Sequence, residues 1–511
     1  MNDSVSKAWL QYEAGKEYKR NIGLYNTVRQ NERFYRGDQW YNVPSGDLPR
    51  PVFNVIRRVV DYLTCSVTPE NVSIHYRDKK SAYLDALGNE RSDKVAHILD
   101  ANARYRWEKN RMTSKLYSLV TDAAISGDGV LYSYWKSDAE AFGGYEGDIV
   151  TEVVDNVNVF VSNVNKNDIQ SQDYIILEGR ASVYSLKREA RENGVSEKNI
   201  ALILPDDCDE SAKGGDLASY ELSGEEEQKA TYLIKFWRED GKVCFEKSTR
   251  NCTIARVNTP CTLYPVAYFN WFPTKNSFHG TSAVSGMVAN QKYINRAYAM
   301  VMKHMSDTAF SKVIYDKSRI PEWSNEVGEA IAAHGATNVS DAVAVLGVGK
   351  LQDKYLDFLA NVIYTTKELS NATETALGNV TPQNTSAILA IQESSKVPLK
   401  LVRAALYQCI EDLANIWADM TLAYYAFDRL VPMLEEDGRY RSGTLMLKED
   451  ENVGFGAFID VVDTSALSSA VTVSILDKLL DNGKITLEEY IKRLPTGYLS
   501  NTNEGKENAD E

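Results

Sequence analysis

Hydrophobic and polar positions follow three successive rhythms along the chain. Over the first 127 residues apolar side chains recur at helical spacing. Val55, Val59 and Leu63 share a stripe that leaves Arg57, Arg58 and Asp61 outside it. A second helix is predicted from about Asp93 to Ser126, where Val95, Ile98, Leu99, Met112, Leu116, Leu119 and Val120 keep that period; Gly127-Asp128-Gly129 stops it. From Val130 to Pro273 the pattern becomes short runs of β-branched and aromatic residues between glycines and acidic turns. Leu131–Trp135, Ile149–Val161, Tyr174–Glu178, Thr231–Arg238, Lys242–Glu246 and Leu263–Trp271 are the predicted strands.

Helical periodicity returns after Gly280. Ser282 opens a predicted helix to about Asp307, with Val284, Met287, Val288, Gln291, Ile294, Tyr298, Val301 and Met305 on one face. A mixed insert follows: strand-like Phe310–Tyr315, a short helix opened by Pro321, and strand-like Ala342–Leu346. The next helix, about Leu351–Leu377, aligns Tyr355, Leu359, Val362, Thr366, Leu369, Thr373 and Leu377, and Gly378 is placed to end it. An uncharged polar stretch, 378–385, then leads into a helix from Ser386 to about Phe427. At 1.5 Å per residue that helix spans about 60 Å. Leu399, Val402, Leu406, Cys409, Leu413, Ile416, Trp417, Met420 and Tyr424 form its stripe, and Pro398 predicts a kink near Ser394–Ser395. A strand-rich piece, Leu445–Val462, precedes two short helices separated by Asn482-Gly483.

Composition narrows the class. The 511 residues carry 57 basic and 71 acidic side chains, a net charge of −14, with 43% hydrophobic residues, values of a soluble globular protein of about three domains or one interleaved fold. No apolar run of about 18 residues predicts a membrane span, and the N-terminus lacks a signal-peptide pattern. The six cysteines are too sparse for a disulfide scaffold and read as reduced thiols. The acidic balance argues against coating nucleic acid through a basic surface, yet suits a protein that encloses DNA without gripping it. The acid-rich stretch 205–229 reads as a solvated loop.

Candidate chemistry is sparse. The five histidines lie far apart, without H-E-x-x-H or an i,i+4 pair, and Cys244, Cys252 and Cys261 read as core thiols. Ala344–Leu351 resembles a phosphate-binding loop but has Ala344 where the first glycine belongs and Leu351 where a metal-binding hydroxyl belongs. Gly280-Thr-Ser282-Ala-Val284 lacks the second glycine of a nucleophile elbow, and Ser282 reads better as a helix-opening residue. No catalytic residue, metal ligand or cofactor is predicted.

The order of elements, together with local motifs, resembles the portal proteins of tailed bacteriophages. Phe34-Tyr-Arg-Gly-Asp-Gln-Trp40 is similar to their F-Y-x-G-x-Q-W run, and Asn54-Val-Ile56 to the N-x-I helix that follows it. Phe278-His-Gly-Thr-Ser282 with Gln291 and Asn295 resembles the G-x-S then Q-x-x-x-N opening of the first stem helix. Ala124–Gly129 resembles the helix-to-strand corner of the wing. The resemblance implies an α+β portal fold: a β-rich wing (1–273 with 428–462), stem helices (280–307 and 351–377) and a mixed α/β clip (308–350). It further implies a tunnel loop (378–385), a spine helix (386–427) and a small helical crown with an acidic tail (465–511). It implies a non-enzymatic homo-oligomeric ring, typically a dodecamer, at a virion capsid vertex. That ring would pass double-stranded DNA and dock the terminase, a major capsid or scaffolding protein, and head–tail adaptors. By position, Asn379, Thr381, Gln383 and Asn384 would meet DNA in the channel. Lys292, Arg296, Lys303 and Lys367 are either sparse phosphate contacts of the stem or subunit salt bridges. Ile314, Tyr315 and Trp323 would form the clip interface, the strands Val313–Tyr315 and Val343–Leu346 pairing either between subunits or within the chain. Two rival classes remain, an acidic carbohydrate-active enzyme and another virion structural protein.

Overall fold

The alternating stretch Lys229–Ser248 folds back at Asp240-Gly241, both residues having positive φ (51° and 78°), a turn whose twist matches that of paired strands. The computed structural model describes residues 3–44, 46–69, 71–78, 86–140, 146–206, 228–309, 312–324, 326, 330–335, 338–346, 353–372, 397–425, 430–435, 438–444, 455–462, 473, 476–487 and 490. These form a mixed α+β protein of two units: Met1–Val28, Tyr62–Ala283 and Val380–Glu511 make the first, Arg29–Asp61 and Val284–Asn379 the second. The division falls within α2 (Leu24–Arg36) and α3 (Val55–Val67).

In the first unit the hairpin joins β6 (Lys229–Glu239) to β7 (Lys242–Ser248). It sits in an antiparallel meander with β4 (Val159–Val161), β5 (Tyr174–Ser182) and β8 (Thr253–Asn258), in the order β4-β5-β6-β7-β8. A second sheet has the order β3 (Glu146–Val154), β2 (Asp128–Glu140), β9 (Val266–Asn270). Period-two alternation sends Ile175, Leu177 and Phe236 of the meander into one core with Val130, Val266 and Tyr268 of the smaller sheet. The opposite meander face carries Phe160, Ile176 and Leu233, which α1 (Asp3–Asn21) covers with Tyr12 and Trp9. Full burial of each such apolar side chain contributes about 1.5–3 kcal/mol. Two helices absent from the sequence expectation, α6 (Val183–Glu192) and α7 (Glu197–Ile200), bury Val183, Leu186, Ala190 and Ile200 against Ala230 and Ile254.

The single helix expected over 93–126 is two: α4 (Ala86–Lys109) and α5 (Met112–Ser126). Arg111 between them takes a left-handed φ of 51°. The Asn110 amide satisfies the broken turn, donating to Arg106 O (3.1 Å) and accepting from Thr151 N (3.0 Å). Gly127 ends α5 as expected. Its φ is 103°, and a Cβ there would lie 2.6 Å from Gly280 O, so only glycine fits.

Of the long helix expected over 386–427, the described part is α10 (Lys400–Tyr424), opened by a 3₁₀ turn, Val397–Leu399. The expected kink at 394–395 lies outside the described residues, and Pro398 sits in the opening turn, where its missing N–H costs little. Leu399 to Met420 of the predicted stripe are buried, but the last buried ring is Tyr425 and Tyr424 is half-buried. Helix α10 packs on β9, β2 and β14 (Phe455–Val462). Strand β14 pairs with β1 (Asn71–Asp78), a strand no local pattern announced, and β12 (Leu430–Leu434) pairs with β13 (Tyr440–Thr444). The acidic stretch is described only as far as Asp206, which holds Arg180 at 2.9 Å and Thr231 N at 3.0 Å.

In the second unit α8 (Val288–Thr308) starts six residues after Ser282, with Met287 at its N-cap, so Ser282 does not open it. Helix α8 packs on α9 (Asp353–Leu369). Between them in sequence, β10 (Lys312–Tyr315) pairs antiparallel with β11 (Val343–Leu346), Val313 opposite Val345, which is the intrachain alternative. Where the short helix opened by Pro321 is expected, the described residues 321–324, 326 and 330–335 are not helical, and a 3₁₀ turn, Val339–Ala342, stands before β11. Met305 and Leu369, assigned to buried stripes, are 62% and 76% exposed.

Candidate functional site

Within the second unit, the motif segments Phe34–Trp40, Asn54–Ile56 and Gln291 with Asn295 meet through uncharged hydrogen bonds, buried at Gln39, Gln291 and Asn295. Gln39 donates from Nε2 to Phe34 O (2.8 Å), and its Oε1 accepts from Asn295 Nδ2 (2.6 Å). Asn295 Oδ1 accepts from Gln291 Nε2 (2.9 Å), which also donates to Phe53 O (2.8 Å). Gln291 Oε1 accepts from Val55 N (3.0 Å), which also donates to Phe53 O (2.8 Å), and from Ile56 N (3.4 Å), an amide at the helix start that has no carbonyl of its own helix to meet. Asn54 caps α3 by accepting from Arg57 N (3.0 Å) and donates to Tyr35 O (2.9 Å), while Trp40 Nε1 donates to Pro51 O (2.8 Å). The network fixes the start of α3 and the 37–54 segment to the first turns of α8. Its members carry no charge, so this anchorage does not titrate.

On the outward side of α8, Lys292 and Arg296 are exposed, Lys292 lying 5.5 Å from the Phe34 ring centroid. Lys303 is half-buried and paired with Asp307 of its own helix at 3.1 Å, a bond within one chain; Lys367 of α9 is half-buried and engaged. In the strand pair, Ile314 and Val345 are 55% and 62% exposed. Tyr315 stacks on Trp323 with ring centroids 5.3 Å apart. Asn379, Thr381, Gln383 and Asn384 lie outside the described residues, as does the greater part of the predicted crown.

The first unit holds three buried polar centres that sequence reasoning did not single out. Asp128, within the quoted Gly127-Asp128-Gly129, accepts from His279 Nδ1 (2.7 Å), Gly280 N (2.7 Å), Asn270 Nδ2 (2.9 Å) and Asn156 Nδ2 (3.0 Å). Burial works to raise its pKa, but the bonds and the electrostatic pull of His279, helped by Gly280 and Asn156, outweigh it and hold the carboxyl below its ordinary range. A glycine–acid–glycine corner facing a second glycine corner was the available signal. At the second centre Lys19 of α1 is 2% exposed and donates from Nζ to the carbonyls of Asn156, Val157 and Val159. Burial pulls its pKa down to about 7, with Glu178, Asp155 and Asp128 acting to raise it. At the third, Arg106 of α4 binds Asp148 of β3 at 3.1 Å, and Tyr425 at the end of α10 donates to the same Asp148 oxygen at 2.8 Å. Arg106 Nε also reaches Asn102 Oδ1 (2.7 Å), whose Nδ2 donates to Pro432 O (2.7 Å), so α4, β3, α10 and β12 meet at one ion pair. Lys19 and Arg106 sit in polar surroundings of local sequence, and nothing in their spacing reports burial.

Chemically these centres position main chain. The Asp128–His279 pair is enclosed, and both residues serve the corner between β2 and the 279–283 segment. Among the described residues no cluster of three His, Cys, Asp or Glu side chains is placed to hold a metal ion, and no helix is long and apolar enough to cross a membrane. In comparison with known proteins, no family model matches the chain and no curated relative matches it.

Proposed function

We propose that the chain is the subunit of a phage portal, a closed ring at a capsid vertex through which double-stranded DNA is packaged and ejected. The observation that carries this reading is the apolar surface on the two helices of the second unit. Tyr293, Met300 and Met305 of α8 and Leu356, Phe358 and Leu369 of α9 are all exposed. Of these, Tyr293 and Met300 share one face of α8 and Phe358 and Leu369 one face of α9, with the Tyr293 and Phe358 rings edge-on at 6.4 Å between centroids. Exposed apolar side chains grouped in this way mark a surface that a partner covers, and the partner that fits is another copy of the same chain. The isolated strand pair supports the same reading: among the described residues neither β10 nor β11 has a second neighbour, so each offers an unpaired edge beside exposed Ile314 or Val345. In this assignment α8 and α9 are the stem, β10, β11, Tyr315 and Trp323 belong to the clip, and α10 is the spine. The sheets and α1 to α7 build the wing.

The charge pattern suits a conduit. Each phosphate neutralised by Lys or Arg adds salt-dependent affinity that slows sliding. A chain of net charge −14 whose loop 378–385 has no ionisable residue holds DNA loosely, through replaceable bonds from Asn379, Thr381, Gln383 and Asn384 to phosphate oxygens. Lys292 and Arg296 are the stem cations left for sparse phosphate contact. The terminase and the later head–tail adaptors dock at the clip. Deleting 379–384 tests the conduit: rings should assemble as in the wild type while DNA packaged per particle falls. Full packaging by that variant would overturn the loop assignment.

A further inference from the structure

The buried environment of Lys19 is more specific than a lysine requires for packing. Its Nζ meets three main-chain carbonyls, of Asn156 (3.0 Å), Val157 (2.8 Å) and Val159 (2.6 Å), and lies 3.9 Å from the Phe160 ring centroid. Three acceptors match the three N–H bonds of a primary ammonium. A neutral amine has two to offer, and a guanidinium presents its donors in a planar fork. The ring face supplies cation–π attraction. Glu178, Asp155 and Asp128 contribute field from a distance, and among the described residues no carboxylate is hydrogen-bonded to the nitrogen. The carbonyls are presented by the 3₁₀ turn Asn156–Asn158, which Asp155 caps by accepting from Val157 N (3.3 Å) and which the Asn156 bond to Asp128 anchors from behind. One turn before Lys19, α1 is pressed against the same ring: a Cβ on Gly15 would lie 2.7 Å from Phe160 Cδ1.

We propose that the Asn156–Phe160 segment is a receptor for a primary ammonium group, and that Lys19 is its tethered ligand, pinning α1 across the five-stranded sheet. The site therefore discriminates by charge and by N–H count, and an untethered alkylammonium of matching length fills it when the lysine is shortened. The proposal is independent of the portal reading, since every group in it lies within the first unit.

The test uses the full chain carrying Lys19→Ala at about pH 6, where free alkylamines are protonated. The substitution removes the atoms that n-propylammonium restores. Lys19→Ala should lower the first thermal transition by about 5 °C and open α1 to limited proteolysis. n-Propylammonium chloride should recover most of both losses, whereas 1-propanol and tetramethylammonium chloride at matched concentration should recover neither. Equal effects of the three additives would overturn the proposal. Lys19→Met keeps the apolar stem and serves if the alanine variant does not fold. It should leave α1 more protease-sensitive than the wild type, and wild-type protection of α1 in Lys19→Met would contradict the receptor.

Discussion

Asp128→Asn is expected to cost about 3–5 kcal/mol of stability in the first unit, among the largest effects of any single-atom exchange in the chain. The carboxylate accepts four hydrogen bonds, from His279, Gly280, Asn270 and Asn156, and is fully buried. An amide offers one oxygen and turns an NH₂ toward donors already in place, so at least one of the four loses its acceptor without water to replace it. The exchange also replaces the carboxylate oxygen that His279 Nδ1 meets at 2.7 Å. The sign of the pH dependence follows from the depressed pKa. The wild-type contribution is present above the ordinary carboxylate value of 3.8 and is lost as pH falls through the lower folded value. Urea unfolding of wild type and variant between neutral and acidic pH measures both. A variant with an unchanged midpoint and the same acid limb would show that the corner does not depend on this charge.

Gln291→Leu should destabilise the second unit by a comparable amount, about 3–5 kcal/mol. Leucine fills much of the volume but leaves Ile56 N and Asn295 Oδ1 without the glutamine they meet at 3.4 and 2.9 Å, and takes from Val55 N (3.0 Å) and Phe53 O (2.8 Å) their second partner beside the 2.8 Å bond they make to each other. Because the network is uncharged, the loss should be the same from about pH 8 down to pH values below 3.8, where the effect of Asp128→Asn diminishes. Hydrogen exchange at the Val55 and Ile56 amides reads the damage locally. Retained protection at both amides in the leucine variant would mean that the glutamine is not their anchor.

These two residues illustrate what the sequence made legible. Gln291, Asn295, Gln39 and Asn54 stood out as motif positions, and Gly127-Asp128-Gly129 as a corner, but their work is a set of long-range hydrogen bonds that no local spacing encodes. Local physics was readable where local forces decide: the strands Thr231–Arg238 and Lys242–Glu246, the Gly127 stop and the buried stripe from Leu399 to Met420. It failed where a distant partner overrides the pattern. The α4–α5 break is held by Asn110 bonding Thr151 of β3. Strand β1 exists because β14, almost four hundred residues later, pairs with it. Met305 and Leu369 kept helical period yet face outward, where apolar period alone cannot distinguish a core stripe from a surface awaiting another chain.

That last ambiguity is the central claim in miniature, and native mass spectrometry of the purified full-length chain addresses it most directly. The account predicts a closed assembly of identical subunits, for twelve copies of 57.3 kDa roughly 690 kDa, and substitution of Phe358 by Glu should break it into smaller species. A chain that flies as a single 57.3 kDa species under conditions that preserve other rings would contradict it.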